Sequence, residues 1–294
     1  MYIHAMLLLR RYFSYLIVIA LFFVTLGIWG AVLASTPSGV LTVAVMNVGQ
    51  GDSIFIESPT GVQVVIDGGP DNSLLTELPK RMQLSDRTLD AIVATHPDAD
   101  HIAGFIDLLN RYEVKNVIEP GIPKDTLTAK RFEEEVTEKK IPRHLARRGM
   151  RLDLGGGARL DILFPDFDVS NLPNNKVNEG GVVARLVYGD TSMLLTADIP
   201  TKVEGRLLAL YGKALDSDIL KVAHHGSRGS SELAFVNAVS PAAAIISVGG
   251  DNRYGHPTKQ VLDLLAGQDI KTLRTDEEGT VVFISNGETF VLKK

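Results

Sequence analysis

The chain has 294 residues, 45% of them hydrophobic and 22% charged, and a formal net charge of −5. That composition is ordinary for a globular protein and argues against broad, nonspecific coating of nucleic acid, although a local groove can still be basic. There is no cysteine, which excludes disulfides and thiolate ligands; any metal must be held by imidazole, carboxylate, amide or water.

From Tyr12 to Ala34 no residue is charged, a run long enough for a helix to span a bilayer. Arg10 and Arg11 precede it, so residues 1–11 are expected in the cytoplasm and the body of the protein outside. Val32-Leu33-Ala34 offers a cleavage site as an alternative, which would leave a secreted protein. The apolar core exceeds the ~7–15 residues usual for a cleaved signal, which favours a retained anchor over 12–34. Arg10-Arg11-Tyr12-Phe13 faintly resembles a twin-arginine export signal. Residues 35–39, Ser-Thr-Pro-Ser-Gly, read as a linker.

Strands are expected over Leu41 to Val48, Ser53 to Glu57 and Val62 to Ile66, the last two joined by the turn Ser58-Pro59-Thr60-Gly61. Asp67-Gly68-Gly69 closes the third strand, with glycines that permit tight turns beside a site. A helix over Leu74 to Gln83 follows, then an apolar strand over Leu89 to Thr95 and a helix over Ile102 to Arg111. Beyond lie a strand at Val114 to Ile118, a helix at Leu127 to Lys139, and strands at Arg151 to Leu154 and Arg159 to Leu163. The second half alternates strands (Val182 to Tyr188, Ser192 to Ala197, Ile219 to Val222, Ala242 to Val248) with helices (Val203 to Tyr211, Glu232 to Val239, Lys259 to Leu265). Val281 to Ser285 and Glu288 to Leu292 form a closing hairpin about Asn286-Gly287, a favoured two-residue turn. Two strand-rich halves with helices outside predict an α/β fold, a four-layer αββα sandwich in one domain over 40–294.

The chemistry concentrates at strand ends. His96-Pro97-Asp98-Ala99-Asp100-His101 follows the strand Leu89 to Thr95 directly, and His96 and Asp98, at i and i+2, point to one side of an extended segment. Two imidazoles and two carboxylates crowded there are costly to bury without a counter-charge, which a divalent metal supplies. Of the seven histidines, five fall in this segment, in Val222-Ala223-His224-His225-Gly226-Ser227 and in Tyr254-Gly255-His256-Pro257. Asp198 ends another strand. Polar groups at the ends of several buried strands converge on one edge of the sheets.

Six segments occur in order: Asn47-Val48-Gly49-Gln50-Gly51-Asp52-Ser53, Ile66-Asp67-Gly68-Gly69, Thr95 to His101, Leu195-Thr196-Ala197-Asp198, Leu220 to Ser227 and Asn252-Arg253-Tyr254-Gly255-His256-Pro257. Together they resemble the metallo-β-lactamase-like domain at the C-terminus of ComEC-type DNA-uptake (competence) channels, over essentially all of the chain after the anchor. The resemblance implies an αββα sandwich with a metal site at the edge where two sheets meet. It implies that His96 and Asp98 hold a first metal, that Asp100, His101 and His225 hold a second, and that Asp198 bridges them. Asp98 and Asn178 stand where the wider superfamily carries histidines, which favours harder ions such as Mn²⁺ over a tight zinc centre. Ala197 replaces a usual Gly before Asp198, and Gly181 a usual Ser after Asn178.

The implied chemistry is metal-assisted hydrolysis with two divalent ions, Mn or Zn. Asp100 orients the nucleophile or takes its proton, and His256 and His224 are candidates to donate hydrogen bonds to a phosphate. Asn178, His224 and Asp67 are candidates either to join the first metal site or to support its ligands, and Lys221, Ser227 and Arg228 are candidates for binding substrate. Relatives by resemblance point to DNA as substrate. The segment Lys139 to Arg151, with six Lys or Arg and no acid, fits either a phosphate backbone or an edge strand guarded by charge. With no multi-span channel in the chain, a role in uptake needs a separately encoded pore. The favoured reading is a membrane-anchored metal-dependent phosphodiesterase or nuclease. Its alternatives are a hydrolase of a small ester, thioester or lactam, and a non-catalytic docking module.

Overall fold

The computed structural model describes residues 2–34, 39–83 and 85–293, and divides into two compact units, Met1–Pro37 and Ser38–Lys294. The first unit contains one helix, Tyr2–Ala34. Its described side chains lie between Tyr12 and Trp29 and are exposed, from Phe13 and Leu16 to Phe23 and Trp29. Among the described residues no helix is long and apolar enough to cross a membrane, so the anchor predicted over 12–34 gains no support from the structure. The predicted linker, apart from Gly39, and the side chains of 1–11 and 30–34 lie outside the described residues.

The second unit is built on two mixed sheets. The first runs, in spatial order, Phe290–Lys293, Val281–Ser285, Leu41–Val45, Ile54–Glu57, Gln63–Ile66, Ala91–Val93, Val117–Glu119 and Arg143–Leu145. The second runs Lys271–Arg274, Ala243–Ile246, Ile219–Lys221, Thr191–Leu195, Val183–Tyr188, Ala158–Phe164 and Arg151–Gly155. Period-two alternation sorts their side chains. Val43, Val45, Ile56 and Val93 of the first sheet meet Leu160, Leu186, Met193 and Leu195 of the second in one apolar layer. The opposite faces are covered by helices. Ala44, Phe55 and Ile92 pack with Phe105 and Phe132, and Leu194, Leu220 and Ile246 with Leu207, Phe235 and Leu265. Three apolar interfaces make four layers, αββα. Each large side chain so buried contributes about 1.5–3 kcal/mol.

Within each sheet, one half is parallel. Gln63–Ile66, Ala91–Val93, Val117–Glu119 and Arg143–Leu145 run together, as do Thr191–Leu195, Ile219–Lys221, Ala243–Ile246 and Lys271–Arg274. Their carboxyl ends deliver Asp67, His96, Asp198 and His225, the place where open α/β sheets put ligands.

Several boundaries differ from expectation for local reasons. The helix predicted over Leu74 to Gln83 is α-helical only over Leu74–Glu77 and continues as a 3-10 turn, Leu78–Lys80, because Pro79 removes an amide donor. The helix after the His96 segment begins at Ala99 rather than Ile102, which places Asp100 in its first turn, where the dipole favours an anion. The closing hairpin pairs Ser285 with Phe290, giving a longer loop in which Asn286 Oδ1 accepts from the amides of Glu288 and Thr289. Edge strand Lys271–Arg274 carries too few apolar residues to have been read. Arg143–Leu145 is the opposite sheet's edge, exposed throughout.

Candidate metal centre

Helix Ala99–Leu109 is pressed backbone to backbone against the turn Asp67-Gly68-Gly69. Gly104 N–H donates to Gly69 O at 3.1 Å, and a Cβ on Gly104 would overlap the carbonyl oxygens of Gly68 and Asp71. Only glycine permits this approach, and it brings His101 onto Asp67. On the other sheet, Ala197, His224 and His225 all adopt left-handed backbone, with φ of 47°, 51° and 54°. His224 N–H donates to Ala197 O at 3.0 Å, tying the Asp198 turn to the His225 turn. The φ of Ala197 explains why glycine is usual there; the methyl group costs about 1–2 kcal/mol in this conformation. Gly181, with φ of −60°, makes no such demand, and a Cβ there would meet its neighbours at ordinary distance.

Three imidazoles are locked in the same sense. His101 Nδ1–H donates to Asp67 Oδ2 at 2.7 Å, and His225 Nδ1–H to Ser247 O at 2.8 Å. Thr95 donates its hydroxyl proton to Asp67 Oδ2 at 2.7 Å and therefore accepts from His96 Nδ1–H at 3.0 Å. Each Nδ1 is thus a donor, which turns the Nε2 lone pair inward. His96 Nε2, His101 Nε2, His225 Nε2 and Asp198 Oδ1 are buried without a hydrogen-bond partner. Four buried polar atoms in one place cost several kcal/mol unless a cation binds them. These residues fit a divalent metal, and nitrogen plus carboxylate oxygen is a donor set suited to Mn or Zn.

The distances define a centre. Asp198 Oδ2 lies 3.4 Å from both His101 Nε2 and His225 Nε2, and 3.7 Å from His224 Nε2. Asp100 Oδ2 lies 3.6 Å from His225 Nε2 and 3.9 Å from His101 Nε2. Donor atoms of Asp100, His101, Asp198 and His225 all fall within 4.8 Å of one another. His96 and Asp98 stand beside this set: the His96 ring is 4.0 Å from that of His101, and His96 Nε2 is 3.7 Å from Asp98 Oδ2. The other oxygen of Asp98 is held by Lys124 Nζ in an ion pair. Asn178 occupies the turn before strand Val183–Tyr188, which Val182 N–H joins to Thr95 O at 3.0 Å, so that turn adjoins His96.

The electrostatics favour a cation. Burial pulls the His101 imidazolium toward neutrality, but Asp198 and Asp67 outweigh it and raise its pKa well above the usual value. For His225 burial is likewise outweighed by Asp198 and Asp52. Burial and the neighbouring His101 lower the pKa of His96. Burial would raise Asp198, yet His225 and His101 hold it well below the carboxylate range. Metal binding at pH 7 must therefore displace protons from His101 and His225, and affinity must rise with pH until both imidazoles are neutral. Titration calorimetry in buffers of differing ionisation enthalpy should show this release; an affinity that falls as pH rises contradicts it.

His256 is half-buried with its Nδ1 unpartnered, its ring 5.7 Å from that of His224. Burial, then His224, lowers its pKa. Asn252 holds its loop by accepting from the amides of Tyr254 and His256. Ser227 Oγ accepts from Gly229 N–H, and Arg228 is exposed beyond it. Lys221 is a correction. It is fully buried, donates to Asp52 Oδ2 at 2.6 Å and lies beneath His225, so it supports the centre and cannot reach substrate. The cations of Lys139 to Arg151 are also largely occupied: Arg143 by Glu119 and Glu133, Arg151 by Asp161, Lys139 by Glu135. That favours the guarded edge strand over a phosphate track.

Four supporting residues escaped the sequence reading. Asp52 lies in a quoted motif but had no role there, and Ser247 acts through its carbonyl. Lys124 gives no local signal. Glu204 lies in helix Thr201–Tyr211; its oxygens accept the amides of Ser231 and Glu232 and clamp the loop after His225. Burial pushes its pKa up to about 7.

Residues 46–250 match the model of the metallo-beta-lactamase superfamily. The chain is 32% identical to ComE operon protein 3 of Bacillus subtilis over 82% of its length, and 32% identical to competence protein ComA of Neisseria gonorrhoeae over 85%. It spans about a third of the length of these curated relatives (32% and 33%). Its fold resembles Igni18, a metallo hydrolase of Ignicoccus hospitalis, with a TM-score of 0.53, 15% identity, and coverage of 82% of this chain and 98% of that one. The resemblance first read from six short motifs is borne out, and the chain belongs to the metallo-beta-lactamase superfamily.

Proposed function

We propose that this protein is a metal-dependent phosphodiesterase acting on DNA, carried on the outer side of a membrane by its N-terminal helix. The observation that supports it best is the ring of unpartnered atoms, three Nε2 and one carboxylate oxygen of Asp198, the three imidazoles fixed from behind by Thr95, Asp67 and Ser247. In this reading Asp100, His101, Asp198 and His225 would hold one divalent ion, and His96 and Asp98 would contribute to a second. Bound there, such ions would lower the pKa of water and offset charge on phosphate oxygens.

The chain's own groups do the rest. Asp100 is about one-third exposed, and its pKa is lowered to about 2, burial being outweighed by His225 and His101. It is ionised at neutral pH and orients attacking water by accepting its hydrogen bond; so weak a base does not keep the proton. His256, neutral at pH 7, donates an N–H to a phosphate oxygen, and His224 offers a second. As the P–O bond breaks, the proton released by water passes to the departing alkoxide. The uncharged run from Tyr12 to Ala34 supports the anchor, and the likeness to a competence protein is in keeping with a role at the cell envelope.

The test is hydrolysis of single-stranded DNA by the full chain with Mn²⁺, beside a chromogenic lactam. Wild type should cut the DNA, and Asp100→Ala should lose about 10²–10⁴-fold in rate while remaining folded. DNA left intact across metals and salts, with the lactam turned over, sinks the proposal in favour of a small-substrate hydrolase.

A further inference from the structure

A cavity of about 360 Å³ opens beside the centre, lined by His96 and Lys124 and reaching Ile122 and Phe132. Its size is that of a small-ligand pocket, roughly 300–1,000 Å³. None of the chemistry above uses it. Ile102 and Ala129 add apolar wall beside Ile122 and Phe132. Four charged side chains interrupt it: Lys124, Glu119, Glu133 and Arg143. Lys124, through Asp98, belongs to the metal centre, and the buried Glu119 pairs with the exposed Arg143, which Glu133 also holds. Arg143 Nε–H and one Nη–H both go to Glu119 Oε1, and Glu119 lines the cavity with the second oxygen of its carboxylate an acceptor by chemistry.

A cation beside the metal centre, an apolar aromatic-bearing wall and a carboxylate acceptor match three parts of one ligand: a phosphate, the face of a heterocycle and its donor-bearing edge. Resting on the nuclease reading, we infer that this pocket receives one unstacked nucleobase of a single strand, flanking the phosphodiester that is cut. The base lies against Phe132 and Ile122, its N–H edge toward Glu119, while Lys124 faces the backbone phosphate. A paired base cannot enter, because its edge and faces are occupied in the duplex. The pocket therefore selects single strands and frayed ends, and it reads the presence of a base more than its identity.

The test compares two substrates with the full chain and Mn²⁺: a short single strand, and the same strand with abasic residues through its middle. Wild type should cut the intact strand about tenfold better, the difference lying in KM. Ile122→Trp, which fills the cavity, should abolish that ratio, with the fold checked by circular dichroism. Equal cleavage of both strands by wild type overturns the pocket and leaves the nuclease reading standing. A folded Ile122→Trp protein that keeps the ratio also overturns it. Cleavage of neither strand removes the nuclease reading, and this inference with it. The wild-type comparison requires no variant to fold.

Discussion

Replacing Asp198 by alanine is expected to lower hydrolysis by at least about a hundredfold and to weaken metal binding, with the domain still folded. Loss of residues that merely support a metal ligand already costs about 10–100-fold, and Asp198 stands closer than that. Its Oδ2 is 3.4 Å from two imidazoles, and its Oδ1 is among the unpartnered atoms. Its carboxylate is also the largest attractive influence raising the pKa values of His101 and His225. In Asp198→Ala both imidazoles should titrate lower, which NMR of the ring protons reads directly. Sign follows from burial: a buried imidazole without its counter-charge loses its proton more readily. An unchanged rate in a folded Asp198→Ala protein would remove this residue from the chemistry.

Lys221→Ala should destabilise the folded protein by about 3–5 kcal/mol, because it leaves Asp52 buried and unpaired. Asp52 is 1% exposed and Lys221 fully buried, joined at 2.6 Å, and Asp52 Oδ1 has no hydrogen-bond partner. His225 Nδ1 lies 3.4 Å from that oxygen, but its proton goes to Ser247 O, so the contact is electrostatic rather than a bond. Burial would raise the pKa of Asp52, and Lys221 with His225 lowers it instead. Removing both charges together, as Asp52→Leu with Lys221→Met, should recover most of the loss, since a packed apolar pair often replaces a buried ion pair at little cost. Chemical denaturation of the three variants measures this. A Lys221→Ala midpoint equal to wild type would contradict it.

The same lysine shows how far the sequence could be read. Beside His224 and His225 it resembles a phosphate-binding cation, yet Ile219, two residues earlier in the same strand, faces the layer between the sheets. Alternation therefore assigns Lys221 to that buried face, a signal present in the sequence but overridden by its neighbours. The strands and the convergence of His96, His101, Asp198 and His225 were legible because apolar runs end in ligating residues, and a sheet carries such ends to one edge. Lys124 was not: it is 26 residues from Asp98 in the chain, in a loop with no periodicity, and only tertiary folding joins them. The transmembrane reading rests on hydropathy alone, which places no atom.

The most direct test is a Mn²⁺ soak of the crystalline protein with anomalous scattering. Manganese is predicted to sit between His101 Nε2, His225 Nε2, Asp198 and Asp100, at coordination distance from each. Manganese found only elsewhere, or a well-ordered site that stays without it at saturating concentration, would contradict the metal centre on which the whole account stands.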